Sequence, residues 1–98
     1  MSRSKTPILI WSPAAQVDLI RLRQFIESHN PEAARNAAQS LKKAANLIIQ
    51  HPGIGVRLEG RQDRELFVSF GKRGYVIRYR LADKAIVILK VWHSLEER

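Results

Sequence analysis

Three of this chain's four prolines punctuate its helical part and leave little freedom in how it folds. Proline fixes φ at about −65° and donates no backbone hydrogen bond, so it suits the first position of a helix and breaks one further in. Pro13 follows Ser12 and Pro31 follows Asn30, and Ser and Asn side chains cap helix N-termini. After Pro13, Ala15, Leu19, Leu22 and Ile26 recur at helical spacing, flanked by Val17, Ile20 and Phe25, which predicts a helix over roughly 13–28. After Pro31, Ala34, Ala38, Leu41, Ala45 and Ile48 form a second apolar stripe, roughly 31–50, with Ala33, Ala37 and Ala44 beside it. Such small residues are expected to let the two helices approach closely. Ser28-His29-Asn30 leaves room only for a tight connection, so the pair is an αα-hairpin. His51-Pro52-Gly53 stops the second helix.

The rest of the chain has β character. Ile8 to Trp11 is a short apolar run ahead of the hairpin. Beyond the flexible Gly53-Ile54-Gly55, Val56 to Glu59 suits a short edge strand and Arg64 to Phe70 a longer one. Gly71-Lys72-Arg73-Gly74 reads as a turn, Tyr75 to Leu81 as a strand, Asp83-Lys84 as a turn and Ala85 to His93 as the last strand. Ser94 to Arg98 is a polar tail, expected to fray. The fold class is therefore α+β: a short N-terminal strand, an αα-hairpin, then an antiparallel β-meander of three to four strands. At 98 residues, without repeat or linker, it makes one domain, 1–98.

If Phe70 pairs with Tyr75, then Val68 faces Ile77 and Leu66 faces Tyr79, and all six share the face suited to the helices. The other face then carries Glu65, Phe67 and Ser69 with Val76, Arg78 and Arg80. The last strand has two possible registers. A two-residue turn sets Val87, Leu89, Val91 and His93 beside the arginines. A three-residue turn sets Ile86, Ile88, Lys90 and Trp92 there.

Charge narrows the function. Seventeen Lys and Arg against nine Asp and Glu give a net +8, which favours nucleic acid, nucleoprotein or an acidic protein as partner. The excess is densest over 56–80, where seven basic residues meet three acidic ones. With no cysteine there is no disulfide, thiolate metal site or cysteine nucleophile, and three scattered histidines make no metal motif. The apolar run of Ile8 to Trp11 is too short for a signal peptide or a membrane span, so the expectation is a soluble cytoplasmic protein with no membrane partner.

Several short segments, in order over roughly 8–93, resemble the RelE/ParE toxin superfamily. Trp11-Ser12-Pro13-Ala14-Ala15 with Asp18-Leu19 looks like its opening, and Asn30-Pro31-Glu32-Ala33-Ala34 like the start of its second helix. His51-Pro52-Gly53-Ile54-Gly55 resembles its helix-to-sheet junction. Arg64-Glu65-Leu66, Tyr75-Val76-Ile77-Arg78-Tyr79-Arg80 and Ile88-Leu89-Lys90-Val91-Trp92-His93 look like its last three strands.

The resemblance implies the toxin of a bacterial type II toxin–antitoxin (plasmid stabilisation) system. Its partner would be a cognate antitoxin, wrapped around it in a hetero-oligomer. An antitoxin with an acidic, partly apolar segment that folds on binding suits the charge. Two activities occur in the superfamily. ParE-like members inhibit DNA gyrase; RelE-like members are ribosome-dependent endoribonucleases acting on mRNA. Cleavage through the 2′-hydroxyl needs a base, cations for the phosphate and an acid. Here the candidates are Arg64, Arg80 and His93, with Glu59 as a conceivable base.

The chain departs from the nuclease pattern in three ways. It continues Ser94-Leu95-Glu96 where those members often have tyrosine. It reads Arg57-Leu58-Glu59-Gly60-Arg61 in place of their lysine cluster. Its only tyrosines, Tyr75 and Tyr79, fall on the core face. The ParE-like branch is therefore favoured, without cofactor or metal, and with Arg64, Arg78, Arg80, Lys90 and His93 as residues contacting target or antitoxin. A third alternative is a non-toxic basic binding module of the same fold. Simpler roles stand beside these: His93 as a structural histidine, His29 and His51 as helix-end groups, Trp11 and Trp92 as core or core edge. Arg21, Arg23, Arg35, Lys42 and Lys43 would be solvated helix faces, and Arg78 and Arg80 solubilising charges.

Overall fold

The computed structural model describes residues 7–28, 30–70 and 73–94. The expectations for His29, for Gly71 and Lys72 in the turn, and for the tail beyond Ser94 lie outside these residues. The elements are β1 (Ile8–Trp11), α1 (Pro13–Glu27), α2 (Pro31–Gln50), β2 (Val56–Arg57), β3 (Asp63–Phe70), β4 (Arg73–Leu81) and β5 (Ala85–His93). Both helices start as their caps dictate. Ser12 Oγ accepts the Ala15 N–H at 3.1 Å, and Asn30 Oδ1 accepts from Glu32 and Ala33 at 3.0 and 3.1 Å. No described helix is long and apolar enough to cross a membrane.

One five-stranded sheet runs β1-β5-β4-β3-β2, with β1 parallel to β5 and every other pair antiparallel. The β3–β4 register is tighter than the sequence suggested. Phe70 pairs with Arg73, Val68 with Tyr75, Leu66 with Ile77 and Arg64 with Tyr79. The turn therefore spans two residues, and the expected Phe70–Tyr75 pairing slips by two. An even slip keeps every side chain on its face, since strand side chains alternate with period two. Between β4 and β5 neither candidate register holds throughout. Arg80 meets Val87, then the ladder shifts between Arg78 and Tyr79, and Arg78 meets Lys90, Val76 Trp92 and Tyr75 His93. Leu89 is the extra residue, a β-bulge that moves the strand from one register to the other.

The bulge sits where β1 ends. Trp11 is the last β1 residue opposite β5, at Ile88, and α1 begins two residues later. Beyond that point α1 supplies the missing partners itself. The Ser12 N–H donates to Ile88 O at 3.0 Å, and Ser12 Oγ donates to Leu89 O at 3.1 Å. Asp18 Oδ2 accepts the Val91 N–H at 2.9 Å, and Arg21 Nη2 donates to Val91 O at 3.2 Å and to Asp18 Oδ1 at 3.0 Å. Side chains of a helix thus continue the edge of a strand. Arg21, expected to be solvated, belongs to this fastening, and Asp18 is buried although no apolar pattern marks it.

Above one sheet face, Ala15 and Leu22 of α1 and Ala37, Leu41, Ala44 and Ile48 of α2 pack on Tyr75, Ile77, Tyr79, Ile86, Ile88 and Val91. Five residues depart from the predicted stripes: Leu19 and Ile26 are only half-buried, Ala38 is exposed, and Ala37 and Ala44 are in the core. The hairpin is rotated so that part of its alanine surface faces away from the sheet.

Asp18→Ala removes the acceptor for a buried N–H, which costs about 1–3 kcal/mol. Urea unfolding should show a lower midpoint with an unchanged slope, and Asp18→Asn, which keeps an acceptor oxygen, should lose less.

Candidate functional site

The sheet face away from the helices is open, and the register decides what stands on it. Glu65 pairs with Arg78 and Asp63 with Arg80 across β3 and β4. Arg78 donates from Nε and Nη2 to Glu65 Oε2 at 2.9 and 2.7 Å. Arg80 Nε donates to Asp63 Oδ1 at 2.8 Å, and Arg61 Nη2 reaches Asp63 Oδ2 from the β2–β3 loop. Sequence reasoning found the arginines but not their partners, because the two-residue slip put the wrong residues opposite one another. The signal was present: Asp63 and Glu65 share the i, i+2 spacing of Arg78 and Arg80, and antiparallel strands bring such pairs together.

Trp92 stands on this same open face, beside Val76. The Arg78 guanidinium carbon lies 4.8 Å from the Trp92 ring centroid and Lys90 Nζ lies 5.8 Å from it. These are cation–π distances, and the long basic stems cover the indole, which is only 7% exposed. Phe67 remains 58% exposed, with Ile8, Ile10 and Val56 also open to solvent. The face is therefore a mixed surface of charge pairs around an aromatic centre. Of the five residues singled out from the sequence, it brings together Arg78, Arg80 and Lys90.

The other two lie elsewhere. Arg64 faces the helix side and donates from Nη1 to Gly53 O at 3.2 Å and Gly55 O at 2.8 Å. Beside it the Tyr79 hydroxyl accepts the Gly55 N–H at 2.8 Å and donates to Pro52 O at 2.7 Å. Gly55 has to be glycine here, since a Cβ would stand 2.7 Å from Tyr79 Oη. Arg64 and Tyr79 together tie down the helix-to-sheet junction. His93 is buried against the rings of Phe25 and Tyr75, at centroid distances of 5.6 and 5.4 Å. Burial pushes the Tyr75 phenol up to about 12 and raises that of Tyr79. Both tyrosines therefore stay protonated over the physiological range. Among the described residues, no three His, Cys, Asp or Glu side chains come together as a metal site.

On the helix side a groove of about 890 Å³ opens between the two helices and β1. Leu19, Ile26, Ala38 and Trp11 give it an apolar floor, and Arg23, Arg35 and Lys42 stand among its lining residues. It follows from the rotated hairpin, and the sequence stripes did not reveal it.

Burial acts to raise the Asp63 pKa, but hydrogen bonds and charge from Arg80 and Arg61 outweigh it and hold the carboxyl below its usual value. A depressed folded pKa gives stability that is present above the unfolded value, about 3.9, and is lost as pH falls through the folded one. Asp63→Asn should therefore melt lower at pH 7, by the equivalent of about 1–3 kcal/mol given the half-exposed arginines. It should also lose less stability than the parent chain on acidification below about pH 4.

The comparisons with known proteins agree with this architecture. Residues 9–98 match the family model described as the ParE toxin of type II toxin-antitoxin system, parDE. Toxin RelE3 of Caulobacter vibrioides is 41% identical over 86 residues, covering 88% of this chain and 92% of that protein. Toxin RelE1 of the same organism is 34% identical over 87 residues, covering 89% and 92%. Among solved structures, a chain of the chromosomal ParDE TA system from P. aeruginosa superposes with a TM-score of 0.77 at 22% identity, covering 92% of this chain and 98% of that one. The α+β architecture is thus shared with a ParDE structure, and the chain belongs to the ParE toxin family of type II toxin–antitoxin systems, within the RelE/ParE superfamily.

Proposed function

We propose that this toxin acts in the cytoplasm on DNA gyrase by protein–protein contact, with the open sheet face as its contact surface, and that a cognate antitoxin neutralises it. The observation that carries this reading is the separation of Arg64, Arg80 and His93. Arg64 lies opposite Tyr79 and His93 opposite Tyr75, four residues apart along β4. At about 3.3 Å per residue that is roughly 13 Å. Arg80 is on the other face of the sheet, paired with Asp63. A phosphate in flight between base and acid needs its groups within hydrogen-bond reach. The open face instead offers fixed charge pairs around Trp92, a composition suited to a protein surface. The names of the Caulobacter vibrioides relatives favour the second reading, a ribosome-dependent mRNA endoribonuclease.

For the antitoxin we infer a seat in the groove between α1 and α2. Its apolar floor and basic residues fit one amphipathic helix with an acidic outer face. The net charge of +8 would speed that encounter and make it sensitive to salt.

Three outcomes are expected. Within minutes of induction without antitoxin, pulse labelling should show DNA synthesis failing while translation continues. Supercoiling by purified gyrase should fall in parallel. Early collapse of translation would transfer the assignment to the ribosome. The double exchange Glu65→Arg with Arg78→Glu keeps an ion pair but inverts its polarity. It should abolish toxicity while the melting temperature stays within a few degrees, and a fully toxic exchange variant excludes this pair from target contact. Ala38→Glu, on the groove floor, should leave toxicity intact and weaken antitoxin binding by about tenfold or more, equivalent to about 1.4 kcal/mol.

A further inference from the structure

Most of β3 has a neighbour on one side only. β2 is two residues long and pairs with Arg64 and Glu65 alone. The Leu58 N–H donates to Asp63 O at 2.9 Å, so the Asp63 carbonyl points to the outer edge of the sheet. Alternation along an antiparallel strand then turns the N–H and C=O of Glu65, Phe67 and Ser69 outward too. Val56 stands opposite Glu65. The Ile54 N–H is engaged by His51 O, and the chain has left the edge by then. Among the described residues nothing hydrogen-bonds the outward groups of Phe67 and Ser69.

Natural sheets guard such an edge with lysine, proline or an inward charge. Leu66-Phe67-Val68-Ser69-Phe70 has none of these, although the chain carries 17 basic residues. The segment is rich in aromatic and β-branched residues, which pair well. We propose that this edge is a self-association surface: two copies pair Leu66–Phe70 antiparallel about a two-fold axis and join their sheets into one.

The register is set by geometry. With the axis at Val68, Phe67 lies opposite Ser69 of the partner subunit, and Val68 opposite the partner's Val68. The outward groups of Phe67 and Ser69 then meet in two reciprocal pairs, four hydrogen bonds in all. Pairing stops at Glu65, whose outward side is taken by β2. Phe67 and Ser69 both project from the open face, so each exposed ring meets a small residue rather than a second ring. Phe67 leans over Gly74, where any Cβ would collide with it. No charged residue lies opposite another within the paired segment, which matters for two chains of +8 each. A second copy is the occupant this edge matches: it presents the same uncharged window, bounded at the same residue, in the complementary direction. Five paired residues bury less than the roughly 1,000 Å² of a stable interface, so association is weak and concentration-dependent. Salt strengthens it by screening the net charge.

The chain has no cysteine, so a single introduced one reports cleanly. Residues opposite each other in a non-hydrogen-bonded antiparallel pair have Cα atoms about 4.5 Å apart, within disulfide range. The full-length Val68→Cys chain should form a disulfide dimer under mild oxidation at least several-fold faster than Lys43→Cys, which lies on exposed α2 surface. Sedimentation of the parent chain at rising concentration and salt should show reversible dimers. Ser69→Pro removes an outward N–H without taking a donor from the β3–β4 ladder and should abolish them, and Ser69→Lys should do the same if the proline variant fails to fold. Crosslinking of Val68→Cys no faster than Lys43→Cys overturns the proposal. So does undiminished dimerisation in a folded Ser69 variant. Neither result bears on whether gyrase is the target.

Discussion

Asp18 accepts the Val91 N–H from within a helix, and much of the molecule's geometry hangs on that contact. β5 is nine residues long, but its parallel neighbour β1 covers only its first half. Unsatisfied N–H and C=O groups would otherwise be left along the remainder, in the core. Ser12, Asp18 and Arg21 supply the missing bonds. They bring α1 against β5 at a fixed angle and height, and α2 follows because the hairpin is tight. The bulge at Leu89 belongs to the same arrangement, since it lies at the handover from strand neighbour to helix neighbour. By changing register there, β5 sends Lys90 and Trp92 to the open face and His93 to the core. The makeup of the candidate contact surface is thus a consequence of how a strand edge is closed.

Net charge alone points toward polyanions, but the positions of the charges qualify it. Arg78 and Arg80, the most suggestive pair in the sequence, are matched by Glu65 and Asp63. A phosphate approaching them would compete with carboxylates already in hydrogen-bonding geometry, one of them fully buried. A protein surface needs no such displacement. It can dock on side chains whose conformations are fixed before contact, which lowers the entropic cost of binding. Among the described cations without a carboxylate partner, Arg35, Lys42 and Lys43 lie on α2, on the groove side of the sheet, whereas Lys90 stands by Trp92 on the open face.

Much of this was legible in the sequence, for reasons that can be named. Ser12-Pro13 and Asn30-Pro31 fixed both helix starts, because capping and the missing proline N–H are local chemistry. The face assignment of β3 and β4 survived an error in register because the error was even. What stayed hidden depends on contacts between residues distant in the chain. Val91 and Asp18 are 73 positions apart, and nothing near Asp18 marks it as a strand surrogate. The pairing of Asp63 with Arg80 required the true turn length. A bulge cannot be inferred by testing uniform registers, as the choice between two turns for β5 assumed. Arg64 and His93 were singled out by resemblance, and both turn out to hold the fold together. Arg64 ties the loop after α2, and His93 packs beside Phe25 and Tyr75.

The groove and the open face lie on opposite sides of one sheet, which constrains how neutralisation works on the proposed reading. A helix seated between α1 and α2 does not itself cover Arg78, Lys90 or Trp92. To block them, the antitoxin chain has to continue past a sheet edge, and the β1 edge borders the groove through Leu9 and Trp11. There Ile8 and Ile10 project to the open face, 65% and 44% exposed. Ile10 pairs with Val87, which stands opposite Arg80. An extended acidic segment crossing β1 would therefore meet apolar side chains first and the arginine ladder next, a sequence of contacts that matches the order of burial and charge across the face. The β3 edge lies at the far side of the same sheet, three strands away from β1. Self-pairing there leaves both the groove and the β1 crossing open, so association of two toxins and capture by antitoxin do not compete for surface.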